Sequence, residues 1–396
     1  MSALGSSQNQ GMSTRFLELL LKTSEKAANI ARVIRQDEHL FRLLVQEKKG
    51  PEKNPRFVQD FKTLADVLIQ ETVKHDVGLQ FPAIADHIFG EESNTFSNTL
   101  GDTITVEVQA DQTATATLLS TVCRSVLSGD TQASEMLAAE VHRDIGVDEV
   151  NTDTNLPLLD LPLEQCGMWI DPIDSTSEYI SGEDLKLSVG DMYQSGLRCV
   201  TVLIGVFDRV TGQPILGIVN QPFHAQYGSR WQGKCQWGFK FGDYSKYSAS
   251  LPSDIKPGKS KIVVLSGSES SNLKSRLHSA GYTVSEVTGA GYKQLCVARG
   301  DADIYVLSKG STFRWDTCGP HAILQALGGG IVSYKKVLEV DGNLEESELN
   351  YSENHTAESL SPGSLHCNHD GLIAFRDGSL LCELIQVLRQ MQARKN

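Results

Sequence analysis

The sequence lacks a long apolar run, a closely spaced pair of cysteines and an excess of positive charge. Its longest strongly apolar run, Cys199 to Phe207, is far shorter than the ~20 residues that a membrane-spanning helix needs. With 36 basic and 49 acidic residues, the net charge of −13 argues against a general surface for nucleic acids or anionic membranes. An anionic small molecule would need a local reversal of this field, which bound metal cations commonly supply.

The eight cysteines are widely separated along the chain. The closest two, Cys367 and Cys382, are fifteen residues apart, so the sequence has no C-x-x-C pair and no zinc-ribbon spacing. Reduced thiols, most of them buried, are therefore expected. Met1 to Ser13 is polar and lacks the basic and apolar regions of a secretory signal. These features predict a cytoplasmic protein with a disordered leader over residues 1–11.

The length of 396 residues gives room for a full-size core in two parts. Apolar residues of the segment 16–34 recur at steps of three and four, which predicts an amphipathic helix. Strand signals dominate from residue 166, and alternating aromatics and glycines over 230–241 predict a hairpin. Later segments alternate between the two kinds of element: strand 261–265, helix 269–280, strand 302–307 and helix 320–327. The chain thus divides into a larger α+β part, 12–255, and a smaller α/β part, 256–396.

The strongest local signal is the segment Trp169-Ile170-Asp171-Pro172-Ile173-Asp174-Ser175-Thr176. An apolar strand runs into a turn that Pro172 makes stiff, because proline fixes φ and has no N–H. Such a turn can direct both aspartates and the Ile173 carbonyl at one point, and hard cations prefer such all-oxygen donors. The N–H groups of the last two residues, if they open a helical turn, would face an anion such as phosphate. Ordinary surface turns use the same residues, so the spacing alone leaves both interpretations open.

Further carboxylates stand in similar settings. Glu91 and Glu92 follow an apolar run that ends in a glycine, although two adjacent like charges are commonly just solvated. Asp316 immediately precedes a predicted helix, and Asp66 stands where a strand-like segment changes to a helix. Both positions also suit a residue that caps a helix. None of these residues establishes a metal site by itself.

Taken in order, Gly90-Glu91-Glu92, Asp171 to Thr176 and Trp315-Asp316 resemble the three-part metal motif of one superfamily. These are the metal-dependent, lithium-sensitive phosphomonoesterases, which include inositol monophosphatase, bisphosphate nucleotidase and fructose-1,6-bisphosphatase. Flanking segments such as Gly217 to Phe223 are most similar to the inositol polyphosphate 1-phosphatases. The resemblance covers nearly the whole chain and implies an α/β (α+β) fold, the layered αβαβα sandwich of the inositol monophosphatase/fructose-1,6-bisphosphatase type.

The resemblance also implies how the metal ions are held. Glu91, Asp171 and the Ile173 carbonyl would bind one Mg²⁺, while Asp171, Asp174 and Asp316 would bind a second. Two cations placed in this way would neutralise phosphate oxygens and stabilise the leaving alkoxide.

Two further roles follow from the same resemblance. Glu91, with Glu92 nearby, would serve a weaker third metal site. The Thr176 hydroxyl, held by Asp66, would orient the water that attacks phosphorus in line. Both Asp66 and Thr176 are therefore expected to be catalytic.

Contacts to the substrate are implied at the metal motif and at two loops of the smaller part. Lys293 would reach a second phosphate or a ring hydroxyl, although a plain surface lysine is the alternative. The complete expected set is Asp174, Ser175, Thr176, Ser268, Ser270, Gly289, Ala290, Lys293 and Asp316.

The implied activity is Mg²⁺-dependent hydrolysis of the 1-phosphate of inositol 1,4-bisphosphate and inositol 1,3,4-trisphosphate, with Li⁺ as an inhibitor. The implied partners are small inositol polyphosphates, with no nucleic acid, no insertion into membranes and a monomeric state. One alternative is a 3′(2′),5′-bisphosphate nucleotidase. An alternative of another class is a catalytically inactive homologue that binds inositol phosphates. The presence of every expected ligand disfavours the inactive homologue.

Overall fold

The structure is a computed structural model of the chain. It describes residues 4–50, 53, 60–123, 132–153, 156–157, 159, 161–187, 189, 191–253, 261–339, 344–352 and 365–393, with side chains from residue 16 to residue 390. No helix in these ranges is long and apolar enough to cross a membrane. All eight cysteines are free, and six of them are buried, as the sequence predicts.

The amino-terminal third is mainly helical. Its elements are α1 (Leu4–Gln36), α2 (Glu38–Leu43), β1 (Val45–Glu47), β2 (Phe61–Thr63), α3 (Leu64–Gln80), β3 (Ile88–Gly90), β4 (Thr95–Ser97), β5 (Thr103–Thr105), α4 (Gln112–Cys123) and α5 (Gln132–His142). The predicted helix over 16–34 is confirmed, but α1 begins at Leu4, inside the expected leader. Extending a formed helix avoids the cost of nucleation, so weakly helical residues can join it.

The central third forms most of a six-stranded sheet. Its elements are β6 (Cys166–Asp174), α6 (Thr176–Ser181), β7 (Leu185–Lys186), β8 (Tyr193–Ser195), β9 (Thr201–Asp208), β10 (Pro214–Tyr227), β11 (Arg230–Phe241) and β12 (Tyr244–Tyr247). The strand order is β12-β11-β10-β9-β6-β3, antiparallel except for the pair β3–β6. Three two-stranded pairs, β1–β2, β4–β5 and β7–β8, lie outside this sheet.

The carboxy-terminal third forms a five-stranded sheet with its helices. Its elements are β13 (Lys261–Leu265), α7 (Ser271–Ser279), β14 (Tyr282–Glu286), α8 (Ala290–Arg299), β15 (Ile304–Leu307), α9 (Arg314–Ala326), β16 (Gly330–Ser333), α10 (Tyr334–Leu338), α11 (Leu344–Ser347), β17 (Leu372–Phe375) and α12 (Gly378–Ala393). The strand order is β14-β13-β15-β17-β16. β13, β14 and β15 are parallel, and β17 runs antiparallel to both of its neighbours.

The elements stack in five layers. α1 and α3 cover one face of the six-stranded sheet, and α8 and α9 lie between the two sheets. α7, α10 and α12 cover the outer face of the second sheet. This arrangement confirms the predicted αβαβα sandwich. Both sheets pack on the layer formed by α8 and α9. The division of the chain into two parts at residues 255 and 256 stays a prediction.

Glycines set the close approach of α9 to the first sheet. A Cβ atom at Gly217 would lie 1.8 Å from the Gly319 oxygen, and one at Gly238 would lie 2.6 Å from the Ile323 Cα. The predicted hairpin within 230–241 is therefore wrong. This segment is the single strand β11, and its Gly238 makes room for α9 rather than for a turn.

The helix predicted over 320–327 begins earlier, at Arg314. Pro320 therefore lies inside the helix rather than at its start. Inside α9 it leaves the Asp316 carbonyl without its usual N–H donor, since that donor would belong to residue 320. The Gln294 side chain on α8 donates to this carbonyl instead, at 2.9 Å. A tertiary contact thus compensates for the proline.

Candidate active site

The candidate site lies where the end of β6 meets the starts of α8 and α9. β6 ends at Asp174, beside the start of β9. In the second sheet, the parallel strands β13, β14 and β15 direct their carboxyl ends toward one edge, the usual place for a site in such sheets. The chain then enters α8 after β14 and α9 after β15, so the starts of both helices face the end of β6.

Three aspartates converge at this place: Asp171, Asp174 and Asp316. One carboxylate oxygen from each lies within 4.8 Å of the others. Asp171 is 1% exposed and Asp174 5% exposed, while Asp316 is half-buried. Burial raises the pKa of all three carboxyl groups, and for Asp171 and Asp316 repulsion by other carboxylates, including Glu91, adds to the rise. The cluster concentrates negative charge that a cation would stabilise.

Asp174 also fixes the start of α8. Its carboxylate accepts hydrogen bonds from the N–H groups of Ala290 (3.2 Å) and Gly291 (2.8 Å) and from the Thr201 hydroxyl (3.0 Å). Gly289 has a φ of +78°, and a Cβ atom there would lie 2.7 Å from the Cys199 oxygen. Only glycine fits this approach without strain. The predicted Gly289 and Ala290 are thus at the site, with the Ala290 N–H engaged by a carboxylate.

Asp316 occupies the third position of α9 and accepts the Phe313 N–H at 2.5 Å. Asp316 thus helps to cap α9, but from the third helical position and not from the predicted position just before the helix. This capping does not exclude metal binding, because each carboxylate oxygen has two acceptor sites. The cap instead fixes the direction in which the carboxylate faces Asp171 and Asp174.

The expected catalytic pair is also brought together. Thr176 Oγ1 lies 3.3 Å from Asp66 Oδ1 and 3.2 Å from the Ile173 oxygen. The Thr176 hydroxyl has one proton, so it donates to only one of these acceptors at a time. Asp66 also accepts the N–H and the hydroxyl of Thr63, both at 2.6 Å. Burial raises the pKa of Asp66 to about 6, although the Thr63 donors oppose this rise.

Ser175 has a backbone geometry of its own. Its φ of 73° is the one positive value among the described residues other than glycine. Such a conformation is unfavourable for a side chain other than that of glycine, asparagine or aspartate, and it often occurs at functional sites. Ser175 is the single residue between β6, which ends at Asp174, and α6, which begins at Thr176.

Glu91 and Glu92 stand at the end of β3 and face a lysine. The Lys48 ammonium lies 2.8 Å from Glu91 Oε1 and also pairs with Glu92. Burial raises the pKa of Glu92, and the ammonium opposes that rise. Burial lowers the pKa of Lys48, but the two glutamates outweigh it and the net pKa is raised. The sequence interpretation had not identified Lys48.

Lys293 is buried rather than on the surface, so the surface-lysine alternative is wrong. Its ammonium donates to the Val287 carbonyl at 3.1 Å and lies 5.1 Å from the centre of the Tyr305 ring. Burial lowers its pKa, and the charge of Asp174 opposes this. A substrate role for Lys293 stays a prediction.

The two predicted loop serines are exposed. Ser270 caps α7 by accepting the Leu273 N–H at 3.2 Å. Ser268 lies 3.0 Å from the Ser266 hydroxyl, and Lys309 donates to its carbonyl. Their roles toward a substrate likewise stay predictions.

The donor set fits a hard divalent cation. Within the described part of the chain, Asp171 Oδ1 is buried and has no hydrogen-bond partner. A buried carboxylate oxygen without a donor is unfavourable unless a cation or water satisfies it. Asp171, Asp174 and Asp316 offer only oxygen ligands, the type that Mg²⁺ prefers. These three residues, with the Ile173 carbonyl and Glu91 beside them, could hold such ions.

Comparison with protein families matches residues 69–361 to the inositol monophosphatase family. The chain belongs to the inositol monophosphatase family. It is 45% identical to an inositol polyphosphate 1-phosphatase of Mus musculus, with 96% of this chain and 98% of that protein aligned. A Homo sapiens protein of the same name is 42% identical, with 94% and 97% aligned.

Solved structures agree on the fold. A Thermotoga maritima IMPase superposes with a TM-score of 0.52 at 11% identity, covering 96% of this chain and 99% of that chain. As a member of the inositol monophosphatase family with these full-length relatives, the protein is an enzyme of the phosphatase class.

Four residues of the site were not identified from the sequence: Lys48, Thr63, Thr201 and Gln294. Each acts through a partner distant in sequence or through a common capping pattern. Only the Thr63–Asp66 spacing, typical of a helix start, offered a local signal.

Proposed function

We propose that the protein hydrolyses the 1-phosphate of inositol 1,4-bisphosphate and inositol 1,3,4-trisphosphate, that it requires Mg²⁺ and that Li⁺ inhibits it. The single observation that carries the chemistry is the convergence of Asp171, Asp174 and Asp316 next to the Asp66–Thr176 pair. The choice of substrate rests on the full-length relatives, which are named inositol polyphosphate 1-phosphatases.

The three aspartates, the Ile173 carbonyl and Glu91 would hold the ions. Bound Mg²⁺ would neutralise phosphate oxygens, acidify water and stabilise the leaving oxygen. The protein's own part is to fix these ligands before the substrate arrives. The starts of α8 and α9 do this, since N–H groups at those positions orient Asp174 and Asp316.

The Thr176 hydroxyl would position the attacking water. When it donates to Asp66, its oxygen can accept a hydrogen bond from a water on the side of the cleft. Asp66 then holds the hydroxyl in this orientation, which is a role in positioning rather than in taking up a proton. Correct orientation of a nucleophile can lower the activation free energy by several kcal/mol. Each ~1.4 kcal/mol raises the rate about tenfold.

The remaining assignments belong to the same proposal. The protein would act in the cytoplasm as a monomer on small inositol polyphosphates, without nucleic acid and without inserting into a membrane. Ser175, Ser268, Ser270 and Lys293 would contact substrate.

A panel of phosphate-release assays tests the proposal. Inositol 1,4-bisphosphate, inositol 1-phosphate, 3′-phosphoadenosine 5′-phosphate and fructose 1,6-bisphosphate would each be incubated with and without Mg²⁺. The expected result is Mg²⁺-dependent release, fastest from inositol 1,4-bisphosphate. Preference for the nucleotide would replace the proposal with the nucleotidase alternative. Binding of inositol phosphates without any release would support the inactive homologue.

A further inference from the structure

The most enclosed ion pair at the site involves a lysine with no assigned role. The Lys48 side chain is 5% exposed, and its ammonium contacts both Glu91 and Glu92. The distance from Lys48 Nζ to Glu91 Oε1 is 2.8 Å. These two glutamates therefore already have a counter-ion supplied by the chain itself.

Both sides of this ion pair are held by backbone hydrogen bonds. The Lys48 N–H donates to the Asp60 carbonyl at 2.8 Å, next to the antiparallel pair β1–β2. The Gln70 side chain bonds the Glu92 N–H at 2.8 Å and the Glu92 carbonyl at 2.6 Å. Because neither partner is carried by a free loop tip, the position of the ammonium is a feature of the fold.

The aspartate cluster has no such close ion pair among the described residues, although the charge of Lys293 acts on Asp174 and Asp316. In the described ranges, no lysine or arginine forms an ion pair within 4.0 Å of Asp171, Asp174 or Asp316, and Asp171 Oδ1 has no donor. The acidic site thus has two halves: two glutamates that share one tethered ammonium, and three aspartates with no ion pair among the described residues.

We propose that Lys48 is the resident cation between Glu91 and Glu92, so that no third divalent ion binds there while its ammonium stays in place. This inference rests on the proposed function, in that the aspartates must bind divalent ions. A third ion would have to displace a buried side chain and its two ion pairs, or bind beside a positive charge, which Coulomb repulsion disfavours. Lys48 would then be a positioning residue that orients Glu91 toward the aspartate cluster.

The decisive variant is Lys48→Met, which removes the charge and keeps an unbranched chain. Mn²⁺ bound per chain would be counted by equilibrium dialysis and by the electron paramagnetic resonance of free Mn²⁺, without substrate. We expect Lys48→Met to bind one Mn²⁺ more than the wild type. Lys48→Arg, which keeps the charge, and Lys49→Met, at the exposed neighbouring lysine, should bind the wild-type number.

A count in Lys48→Met equal to that of the wild type would overturn the inference. A wild type that binds no Mn²⁺ would instead overturn the proposed function, so the two failures are distinguishable.

A measurement on the wild type alone covers the case in which Lys48→Met does not fold. Acetylation of lysines, read by mass spectrometry, would be compared with and without saturating Mn²⁺. We expect Lys48 to stay protected in both conditions while Lys49 reacts in both. Reaction of Lys48 at the rate of Lys49 once Mn²⁺ is bound would show that an ion displaces it, and would overturn the inference.

Discussion

The starts of α3 and α9 are two regions built on the same local pattern. In each, an aspartate at the third helical position accepts the N–H of the residue before the helix. Asp66 accepts from Thr63 at 2.6 Å, and Asp316 accepts from Phe313 at 2.5 Å. By local chemistry alone, both are helix caps: each carboxylate accepts a hydrogen bond from an otherwise unpaired N–H, and its negative charge interacts favourably with the helix dipole.

Their surroundings are different. Asp66 is fully buried and takes a second donor from Thr63 and a third from Thr176. Asp316 is half-buried and faces Asp171 and Asp174. The comparison teaches that one capping motif can place an aspartate either in a cluster of carboxylates or against a hydroxyl. What decides between them is the residue that the fold places opposite.

The largest difference between the two starts should appear on replacing Asp316. Asp316→Asn keeps an oxygen that can accept the Phe313 N–H, so the helix start should survive. We expect turnover to fall by at least about 10³-fold, because polarisation by a metal contributes several kcal/mol to the transition state. Rates in saturating Mg²⁺ and Mn²⁺ counts would be measured together. More than a tenth of wild-type activity would contradict the assignment of Asp316 as a ligand.

The same change at the other start, Asp66→Asn, should spare metal binding. We expect kcat to fall by about 10²-fold, typical of losing a group that positions the reacting water, with the Mn²⁺ count unchanged. Steady-state kinetics and the dialysis assay provide both numbers. A normal kcat would reduce Asp66 to a helix cap.

Lithium should separate the two starts further. Li⁺ has half the charge of Mg²⁺, so it gains less Coulomb energy from each carboxylate. With the charge of Asp66 removed, Asp66→Asn should require more Li⁺ for half inhibition. Titrations at several substrate concentrations would measure this on both proteins. A wild type insensitive to millimolar Li⁺ would contradict the proposed inhibition itself.

The hydroxyl of Thr63 is present at only one of the two starts, and it affects the pH profile. Burial raises the pKa of Asp66 to about 6, and the Thr63 hydroxyl lowers it. A protonated Asp66 would be a weaker acceptor for the Thr176 hydroxyl, so activity should fall as the pH decreases through that pKa. Thr63→Val removes the donor and should move the acidic limb of kcat to higher pH. Bound cations lower the midpoint in both proteins, so the test is the difference between their pH–rate curves.

The smallest effect is expected at a third helix start, that of α7. Ser270 accepts the Leu273 N–H with its own side chain. Ser270→Ala should lower the free energy of unfolding by about 1 kcal/mol, as for other lost caps. Urea unfolding would measure this. A raised KM for inositol 1,4-bisphosphate would show that Ser270 contacts the substrate as well as capping the helix.

Much of the site could be predicted because its residues lie in short segments. Asp171, Ile173, Asp174, Ser175 and Thr176 lie within six residues of one another. The turn predicted at Pro172 is wrong, however: β6 continues to Asp174 with a register shift after Asp171, and the chain turns at Ser175. The layered fold was predictable too, since strands and helices alternate and the motif resembles one superfamily.

The errors came from residues whose local and tertiary roles differ. Gly233 and Gly238 suggested a turn within β11, but Gly238 makes room for α9. The helix predicted from residue 320 begins at Arg314, and Gln294 satisfies the carbonyl that Pro320 frees inside it. Local propensity is a weak guide where a neighbouring element supplies the missing contact or needs the space.

The sequence by itself determined which carboxylates belong to the candidate site, and the family. Only the tertiary structure decided that Lys48 faces Glu91 and Glu92, and that Lys293 is buried. The reason is physical. Backbone geometry and capping depend on residues a few positions apart, whereas the partner of a charge depends on which distant segments the packed layers bring together.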